Sequence, residues 1–450
     1  MISAVAVADK KLGIARNGAI PPEMNIKADK QIFKQITTSG NVNKVVMGRK
    51  TWNTLPFKLP GRINVVISKS INFENDKEYK KNQPDEIYTS PMEFVKSINN
   101  GIDYFIIGGE SIYKWFLDHN MISTFYINIL NADCECDQFI EPCMRNFKVI
   151  NFEHLRGMIS LQLKYVNHQE KEFNNIIKQV LGGYKSADRT GTGTVRTFGH
   201  RLEFSLDNFP LMTSRRHPLR MIFEELMWVL RGQTQTTILQ EKGVNVWNAN
   251  TTKEFIFKQN LDIDLKENDI GRSYGYNMRT YSEFEPYDQL ENALNLLKNN
   301  PSSRRIIINL WNPANVKKSA LPPCLCWYQF FVRKTNNGST YLDCQAMNRS
   351  SDIVVAGGWN IATAALLTYI LAQFCGYNPG TLIWITGDTH IYLNNINAAE
   401  MLVSREPAIF PKLFINKKLN SLEDILDIQI SDIQLINYSP GPKIKFEMNA

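Results

Sequence analysis

Three short, nearly continuous apolar runs, at residues 44–47, 63–67 and 104–107, constrain this chain most. A strand with one solvated face alternates polar and apolar residues, whereas a strand buried on both faces reads as an unbroken apolar run. Such strands belong in a parallel sheet with helices on both sides. A helix start fits this pattern: Ser90-Pro91-Met92-Glu93 is a capping box with proline at the first helical position. Residues 1–167 therefore predict an α/β domain with a mostly parallel central sheet, in which the polar stretch 72–85 is a surface loop. The strand-like run 159–166 leads into a short polar joint at 167–171. Beyond it, longer amphipathic helices and more tryptophans predict a second, α+β domain, over 168–450. No low-complexity linker or internal repeat separates the two.

Composition narrows the function classes. Of 450 residues, 43% are hydrophobic and 21% charged, which is the balance of a globular chain with real cores. The formal charge of +7 is scattered without basic blocks and favours small anionic ligands over nucleic acid. The first residues lack a basic segment and Asp9 breaks their apolar stretch, so a signal peptide is not expected. Nor is any apolar run expected to approach the roughly 20 residues that span a bilayer. Seven cysteines, an odd count, fit a reducing compartment, and a cytoplasmic location is expected. Cys134, Cys136 and Cys143 lack zinc-site spacing, and His390 has no second ligand at metal spacing, so no metal is expected.

Two strand-to-helix junctions carry glycine. Val45-Val46-Met47 runs into Gly48-Arg49-Lys50-Thr51, and Phe105-Ile106-Ile107 runs into Gly108-Gly109-Glu110-Ser111. Glycine there lets a ligand approach the backbone, and the following helix N-terminus offers free N–H groups to an anion. A plain turn would use the same residue. Two such junctions in one small domain, one with Arg49 and Lys50, favour a diphosphate-bearing cofactor. Ser68 and Lys69, after the next strand, are placed to add contacts to a further phosphate. Asp29 precedes Ile32, Phe33 and Ile36 at helical spacing. It is either a helix-start residue interacting with the dipole or an acid near the apolar face.

These segments resemble dihydrofolate reductase. The stretch 1–7, Asp29 with Phe33, Val46-Met47-Gly48-Arg49-Lys50-Thr51-Trp52, Leu59-Pro60-Gly61-Arg62 and Ile107-Gly108-Gly109 through Tyr113 follow that family's order. They cover nearly the whole first part. The resemblance implies that Asp29 binds the pterin ring of dihydrofolate and assists its protonation. Phe33 would pack on the folate rings and Arg62 would grip the α-carboxylate with its planar fork, with Val5 and Asn128 also on the folate side. Val7, Gly48, Arg49, Lys50, Thr51, Ser68, Lys69, Ile107, Gly108, Gly109 and Tyr113 would hold NADPH. Two positions depart from the family pattern. Pro22, in Ile20-Pro21-Pro22-Glu23, replaces a tryptophan that helps order water near the carboxylate, and Asn128 replaces a threonine that bonds it. A worn reductase beside a working second domain is therefore one rival expectation.

In the second part, Cys324 ends Leu321-Pro322-Pro323-Cys324, ahead of Trp327, Tyr328, Phe330 and Phe331. A lone cysteine beside a strand is ordinarily packing, but its company shifts that reading. Asp188-Arg189-Thr190-Gly191-Thr192-Gly193 is a polar glycine loop, Arg304-Arg305 precede the apolar run 306–310, and Asn348-Arg349-Ser350-Ser351-Asp352 follows another strand. Four arginines so placed suit a solvated surface or a phosphate grip. Residues 220–232 predict an amphipathic helix closed by Gly232. Glu224 and Glu225 interrupt its apolar run. Glu225, beside Leu226, is the carboxylate expected to be buried, with the raised pKa that an acid–base group requires.

From 172 to 450 the ordered motifs resemble thymidylate synthase, and the whole chain resembles the fused, bifunctional form of protists and plants. This implies a Cys324 thiolate that adds to the sixth ring carbon of dUMP. Methylenetetrahydrofolate would be the co-substrate, with Glu225 organising water and proton transfer and Tyr274 supporting loss of the ring proton. Arg189, Arg349 and Ser350 would hold the dUMP phosphate, and Arg304 and Arg305 would reach it from the partner subunit of a homodimer. Asn360 would read the uracil edge, His390 and Tyr392 would bond the ribose, and Asp352 and Trp247 would face the folate, Asp352 also bordering dUMP. Departures are Leu325, Ala356-Gly357-Gly358-Trp359 and Asn449 in the tail. A nucleic-acid-binding protein that reuses the fold is the remaining rival.

Overall fold

The computed structural model describes residues 1–40, 42–69, 83–99, 101–140 and 146–449. It divides into two compact units, Met1–His168 with Ile436–Ser439, and Gln169–Leu435 with Pro440–Ala450.

The first unit is built on an eight-stranded sheet in the order Glu86–Tyr88, Ile63–Ile67, Asn43–Gly48, Asp103–Gly108, Ile2–Ala8, Thr124–Leu130, Met158–Tyr165, Phe147–Leu155. The first six strands run parallel and the last two pair antiparallel. Ile2–Ala8, Asn43–Gly48 and Asp103–Gly108 are buried along almost their whole length, as their unbroken apolar runs require. From Asn43–Gly48 the chain passes to Ile63–Ile67 on one side, and from Asp103–Gly108 to Thr124–Leu130 on the other. Two adjacent parallel strands whose chains depart in opposite directions open a crevice at their carboxyl ends, where α/β sheets bind ligands. Both glycine junctions stand there.

The helix expected after Ser90 is Pro91–Lys96, capped by Ser90, which accepts the Glu93 N–H at 3.2 Å. Glu93 reaches one residue further back than a capping box predicts, taking the N–H and hydroxyl of Thr89. Of the stretch 72–85, residues 72–82 lie outside the described residues, as does Cys143. Cys134 and Cys136 pack with Met24, Leu130 and Met158.

The second unit holds a six-stranded sheet in the order Tyr184–Ser186, Thr194–Ser205, Asn378–Tyr392, Thr340–Asp352, Leu325–Lys334, Ile307–Asn309. Only the pairing of Thr340–Asp352 with Asn378–Tyr392 is parallel. The helix Gly358–Cys375 lies on these two strands and buries Cys344, Ala346, Leu382 and Trp384 beneath it. On the opposite face Trp327, Met347, Ile383 and Ile385 are half-exposed and Phe331 is 63% exposed. Ile353–Cys375 corrects the expectation that no apolar run reaches bilayer length. Its 23 residues are long and apolar enough, but 72% of its apolar window is buried inside the fold, where it is the core helix.

Glu170 anchors the start of this unit. It is fully buried, and its carboxylate accepts the N–H groups of Thr213 (2.8 Å) and Ser214 (2.7 Å) and the Thr213 hydroxyl (2.6 Å). Glu170→Ala strands these donors away from water. Urea denaturation is expected to show a loss of about 3 kcal/mol or more, with Glu170→Gln, which keeps an acceptor oxygen, losing less. Equal stability of Glu170→Ala and wild type would contradict this.

Candidate active sites

In the first unit, strand register assembles the crevice. Met47 stands opposite Gly108 and Gly48 opposite Ile67, so Gly48, Gly108 and the segment leading to Ser68 come together at neighbouring strand ends. Gly48 precedes the helix Arg49–Thr54, and Gly109 precedes the helix Glu110–Asp118. The approach is too close for side chains. A Cβ on Gly48 would come within 3.2 Å of Ile112, and one on Gly108 or Gly109 within 3.2 or 3.3 Å of the Thr51 hydroxyl. Two helix N-termini thus lie side by side behind bare backbone, a cradle that fits the diphosphate of a dinucleotide. Lys69 is exposed, and the Ser68 N–H bonds Tyr88 O. Tyr113 is buried and donates its hydroxyl to the Val5 carbonyl at 2.5 Å, tying its helix to the strand Ile2–Ala8. Ile107 packs in the cluster formed by Val5, Val45, Met47 and Phe105, while Val7 packs in the neighbouring one with Met24.

Asp29 lies in the first turn of the helix Lys27–Thr37. Its carboxylate accepts the Asn128 amide at 2.8 Å across 99 residues of sequence, because Asn128 lies opposite Val7 on the adjoining strand. Burial pushes the Asp29 carboxyl above its usual value, and the Asn128 bond, with the charge of Lys30, opposes that. Of the two readings of Asp29, the geometry selects the enclosed acid. Phe33 packs one turn further along, with the Arg62 guanidinium 5.8 Å from its ring centre. Arg62 also donates to the Thr37 hydroxyl at 2.8 Å and to Pro60 O. Among the described residues no carboxylate pairs with it, so its charge is available to an acidic ligand. Pro22 is exposed and opens the 3-10 turn Pro22–Met24.

In the second unit the helix expected at 220–232 is Leu219–Leu230, with Gly232 in the left-handed region just beyond. Its two carboxylates part company. Glu224, expected to turn outward, is in fact buried and bonds Lys242 at 2.5 Å, while Glu225 receives two indoles, Trp247 Nε1 at 2.8 Å and Trp359 Nε1 at 2.6 Å. Burial pushes the Glu225 carboxyl up, and the Trp359 and Trp247 donors only partly offset this. Trp359 stood out in the sequence only as a departure, and its hydrogen bond to Glu225 was not foreseen there.

Tyr274, at the start of the helix Tyr274–Arg279, stacks edge-on to Trp247 with ring centres 5.8 Å apart. Its hydroxyl oxygen accepts the Cys324 backbone N–H at 2.8 Å. Its own proton is therefore free to be donated elsewhere, and burial keeps the phenol protonated. Arg349 wraps the nucleophile loop: Nε bonds Pro323 O at 2.9 Å, and Nη2 bonds Pro322 O and lies 3.8 Å from Cys324 Sγ. Burial raises the Cys324 thiol pKa, while the charges of Arg349 and Arg189 pull it down.

Arg189 is exposed on a loop braced by Asp188, whose carboxylate accepts the N–H groups of Thr190 and Gly193, each at 2.7 Å. Ser350 stands opposite Asp388, and Asp352 opposite His390. His390 Nδ1 lies 3.0 Å from an Asp388 oxygen, and its ring meets Tyr392 edge-on. Burial pushes the Asp352 carboxyl up to about 6 against the nearby His390 and the Val355 and Val354 N–H groups. Asn360 is half-buried in the first turn of Gly358–Cys375, and its amide makes no hydrogen bond among the described residues. Arg304 and Arg305 are exposed ahead of the edge strand Ile307–Asn309, and among the described residues neither guanidinium is ion-paired. Arg215, which sequence reasoning passed over, joins the carbonyls of Val354 and Val355 to the Phe446 ring of the C-terminal tail.

Comparison with known proteins matches both units. The dihydrofolate reductase family model covers residues 1–167 and the thymidylate synthase family model residues 171–450. The chain is 31% identical to the bifunctional dihydrofolate reductase-thymidylate synthase of Zea mays, over 99% of this chain and 96% of that one. It is 33% identical to the protein of that name from Paramecium tetraurelia (97% and 96%), and 31% identical to that of Plasmodium berghei (95% and 86%).

Proposed function

The chain belongs to the family of bifunctional dihydrofolate reductase–thymidylate synthases, and from that we infer how its own residues divide the work. It reduces dihydrofolate to tetrahydrofolate with NADPH and converts dUMP to dTMP with methylenetetrahydrofolate. The observation that carries the assignment of residues is the convergence of Cys324, Tyr274, Glu225, Trp247 and Arg349 through hydrogen bonds, the Trp247–Tyr274 ring contact and charge.

In the reductase, bound NADPH supplies the hydride. Asp29 holds the pterin and helps deliver the proton, and Asn128 keeps the hydrogen bond to it that a threonine would make. That retained donor favours a working reductase over a worn one. Phe33 packs on the folate rings, and Arg62 pairs with the α-carboxylate. Gly48, Arg49, Lys50, Thr51, Ser68, Lys69, Gly108 and Gly109 hold the cofactor.

In the synthase, the Cys324 thiolate bonds to the sixth carbon of the uracil ring and makes the fifth carbon nucleophilic. Methylenetetrahydrofolate is the source of the one-carbon unit and of the hydride. Tyr274, which stays protonated, donates its hydroxyl proton in a hydrogen bond to the water that accepts the ring proton, and Glu225 passes protons through ordered water. Arg189, Arg349 and Ser350 take the phosphate, Asn360 the uracil edge, and His390 and Tyr392 the ribose. Asp352 and Trp247 face the folate.

Arg304 and Arg305 serve the site of a second copy in a homodimer. Two features support this: both guanidinium groups are exposed, and the sheet face around Phe331, Met347, Ile383 and Ile385 is apolar and uncovered. Mixing a Cys324→Ser protein with an Arg304→Ala/Arg305→Ala protein, each nearly inactive, and allowing subunit exchange is expected to restore about a quarter of wild-type synthase activity. Half the dimers are then mixed, and each mixed dimer has one complete site. No restoration, or a monomer in sedimentation, would refute the shared site. We propose that the ligands are small anions rather than nucleic acid or membrane, and that the enzyme works in the cytoplasm, a reading that the odd cysteine count supports.

A further inference from the structure

Two residues beyond the nucleophile stands a second thiol that the reaction does not use. The strand Leu325–Lys334 pairs with Thr340–Asp352 with Leu325 opposite Asn348 and Trp327 opposite Met347, so Cys326 is the extra residue of a β-bulge. Its carbonyl is fixed there by the N–H groups of Leu310 (2.7 Å) and Trp311 (3.1 Å). In a regular strand the side chains of residues two apart stand parallel and separate. A bulge bends the strand and re-aims a side chain. Here Cys326 Sγ leans back on the nucleophile's own residue, 3.6 Å from Cys324 O and 3.9 Å from Pro323 O. Both cysteines are only partly buried, so a small oxidant reaches them, whereas Cys344 and Cys134 are enclosed in the cores.

We propose that Cys326 is a resolving thiol for Cys324, which makes the synthase site reversibly sensitive to hydrogen peroxide through a Cys324–Cys326 disulfide. The proposal rests on reading Cys324 as the nucleophile. The Cys324 thiolate attacks one peroxide oxygen; an S–O bond forms, the O–O bond breaks and hydroxide leaves, so the sulfur is oxidised by two electrons to a sulfenic acid. Cys326, giving up its proton, then attacks the Cys324 sulfur. The S–S bond forms, the S–O bond breaks, and the departing hydroxide takes that proton to become water. In sum, two thiols and one peroxide give one disulfide and two waters. Arg349, with Nη2 near Cys324 Sγ and its backbone N–H on Cys324 O at 2.8 Å, stabilises the anionic sulfur that starts the sequence. A thiol reductant reverses it. Without Cys326 the sulfenic acid would proceed to sulfinic acid, which thiols do not reduce.

The test treats the full chain with hydrogen peroxide in the absence of dUMP, then with dithiothreitol. Reductase activity serves as the internal control, and mass spectrometry reads the peptide that spans residues 324–326. Wild type is expected to lose synthase activity, show that peptide lighter by two hydrogens, and recover on reduction. Cys326→Ser and Cys326→Ala, starting near wild-type activity, are expected to recover at least about fivefold less and to carry Cys324 sulfinic acid. Equal recovery with and without Cys326, or wild-type protein that never shows the light peptide, would overturn the proposal. Failure of the unoxidised protein to be labelled by fluorinated dUMP with methylenetetrahydrofolate would instead overturn the reading of Cys324 itself.

Discussion

Cys324→Ser abolishes thymidylate formation, by about 10³-fold or more, and leaves NADPH-dependent reduction of dihydrofolate unchanged. The sulfur is the atom that bonds the pyrimidine, and a hydroxyl at the same place stays protonated near neutral pH and is a far weaker nucleophile. The surroundings are built for a thiolate. Arg349 places one guanidinium nitrogen 3.8 Å from the sulfur, and its charge, with that of Arg189, works against the burial that raises the thiol pKa. The substitution changes size little and keeps the backbone N–H that Tyr274 accepts, so the fold should be retained. The checks are the synthase and reductase rates on one preparation, and covalent labelling by fluorinated dUMP with methylenetetrahydrofolate. Labelling that persists in Cys324→Ser would remove this cysteine from the mechanism.

Asp29→Asn lowers the reductase rate by about 10²–10³-fold, the usual weight of a positioned acid–base group, and spares the synthase. The pH dependence separates a proton-handling role from a packing one. Burial raises the Asp29 pKa, so near its folded pKa the protonated fraction, and with it the reductase rate, falls as pH rises. The amide cannot titrate, so the variant's slow rate should be flat across that range. Stability moves the same way. A carboxyl whose folded pKa exceeds its unfolded value weakens the fold as pH rises from the unfolded value through the folded one. Asp29→Asn, which keeps an oxygen for the Asn128 amide, should therefore melt at a higher temperature than wild type at neutral pH. A variant as slow as this but with the wild-type pH profile would reassign Asp29 to packing.

Much of this was legible in the chain, for reasons that differ from residue to residue. Unbroken apolar runs are the local signature of strands buried on both faces, and they placed Asn43–Gly48 and Asp103–Gly108 in a parallel sheet with glycines at their carboxyl ends. Glu225 was singled out by its place beside Leu226 and by the resemblance; helical spacing does not separate it from Glu224, which the structure also buries. The indole partners of Glu225 could not be read, since Trp247 and Trp359 lie 22 and 134 residues away. Spacing left Asp29 open between two roles, and its bond to Asn128 depends on which strand lies beside Ile2–Ala8. The bulge at Cys326 is a matter of pairing register, which residue types alone do not encode. Ile353–Cys375 was underestimated because Trp359, Asn360, Thr363 and Thr368 interrupt its apolar residues.

One chain completes a folate cycle, and turnover on substoichiometric folate is the measurement that shows it. Purified protein would be given excess dUMP, NADPH and formaldehyde with a small amount of tetrahydrofolate, and thymidylate would be counted against the folate added. Thymidylate is expected far in excess of folate, in step with NADPH oxidised. Either Asp29→Asn or Cys324→Ser alone is expected to stop the accumulation. Thymidylate that halts at one equivalent of folate in the wild-type protein would contradict the cycle, leaving a synthase whose first domain no longer reduces dihydrofolate.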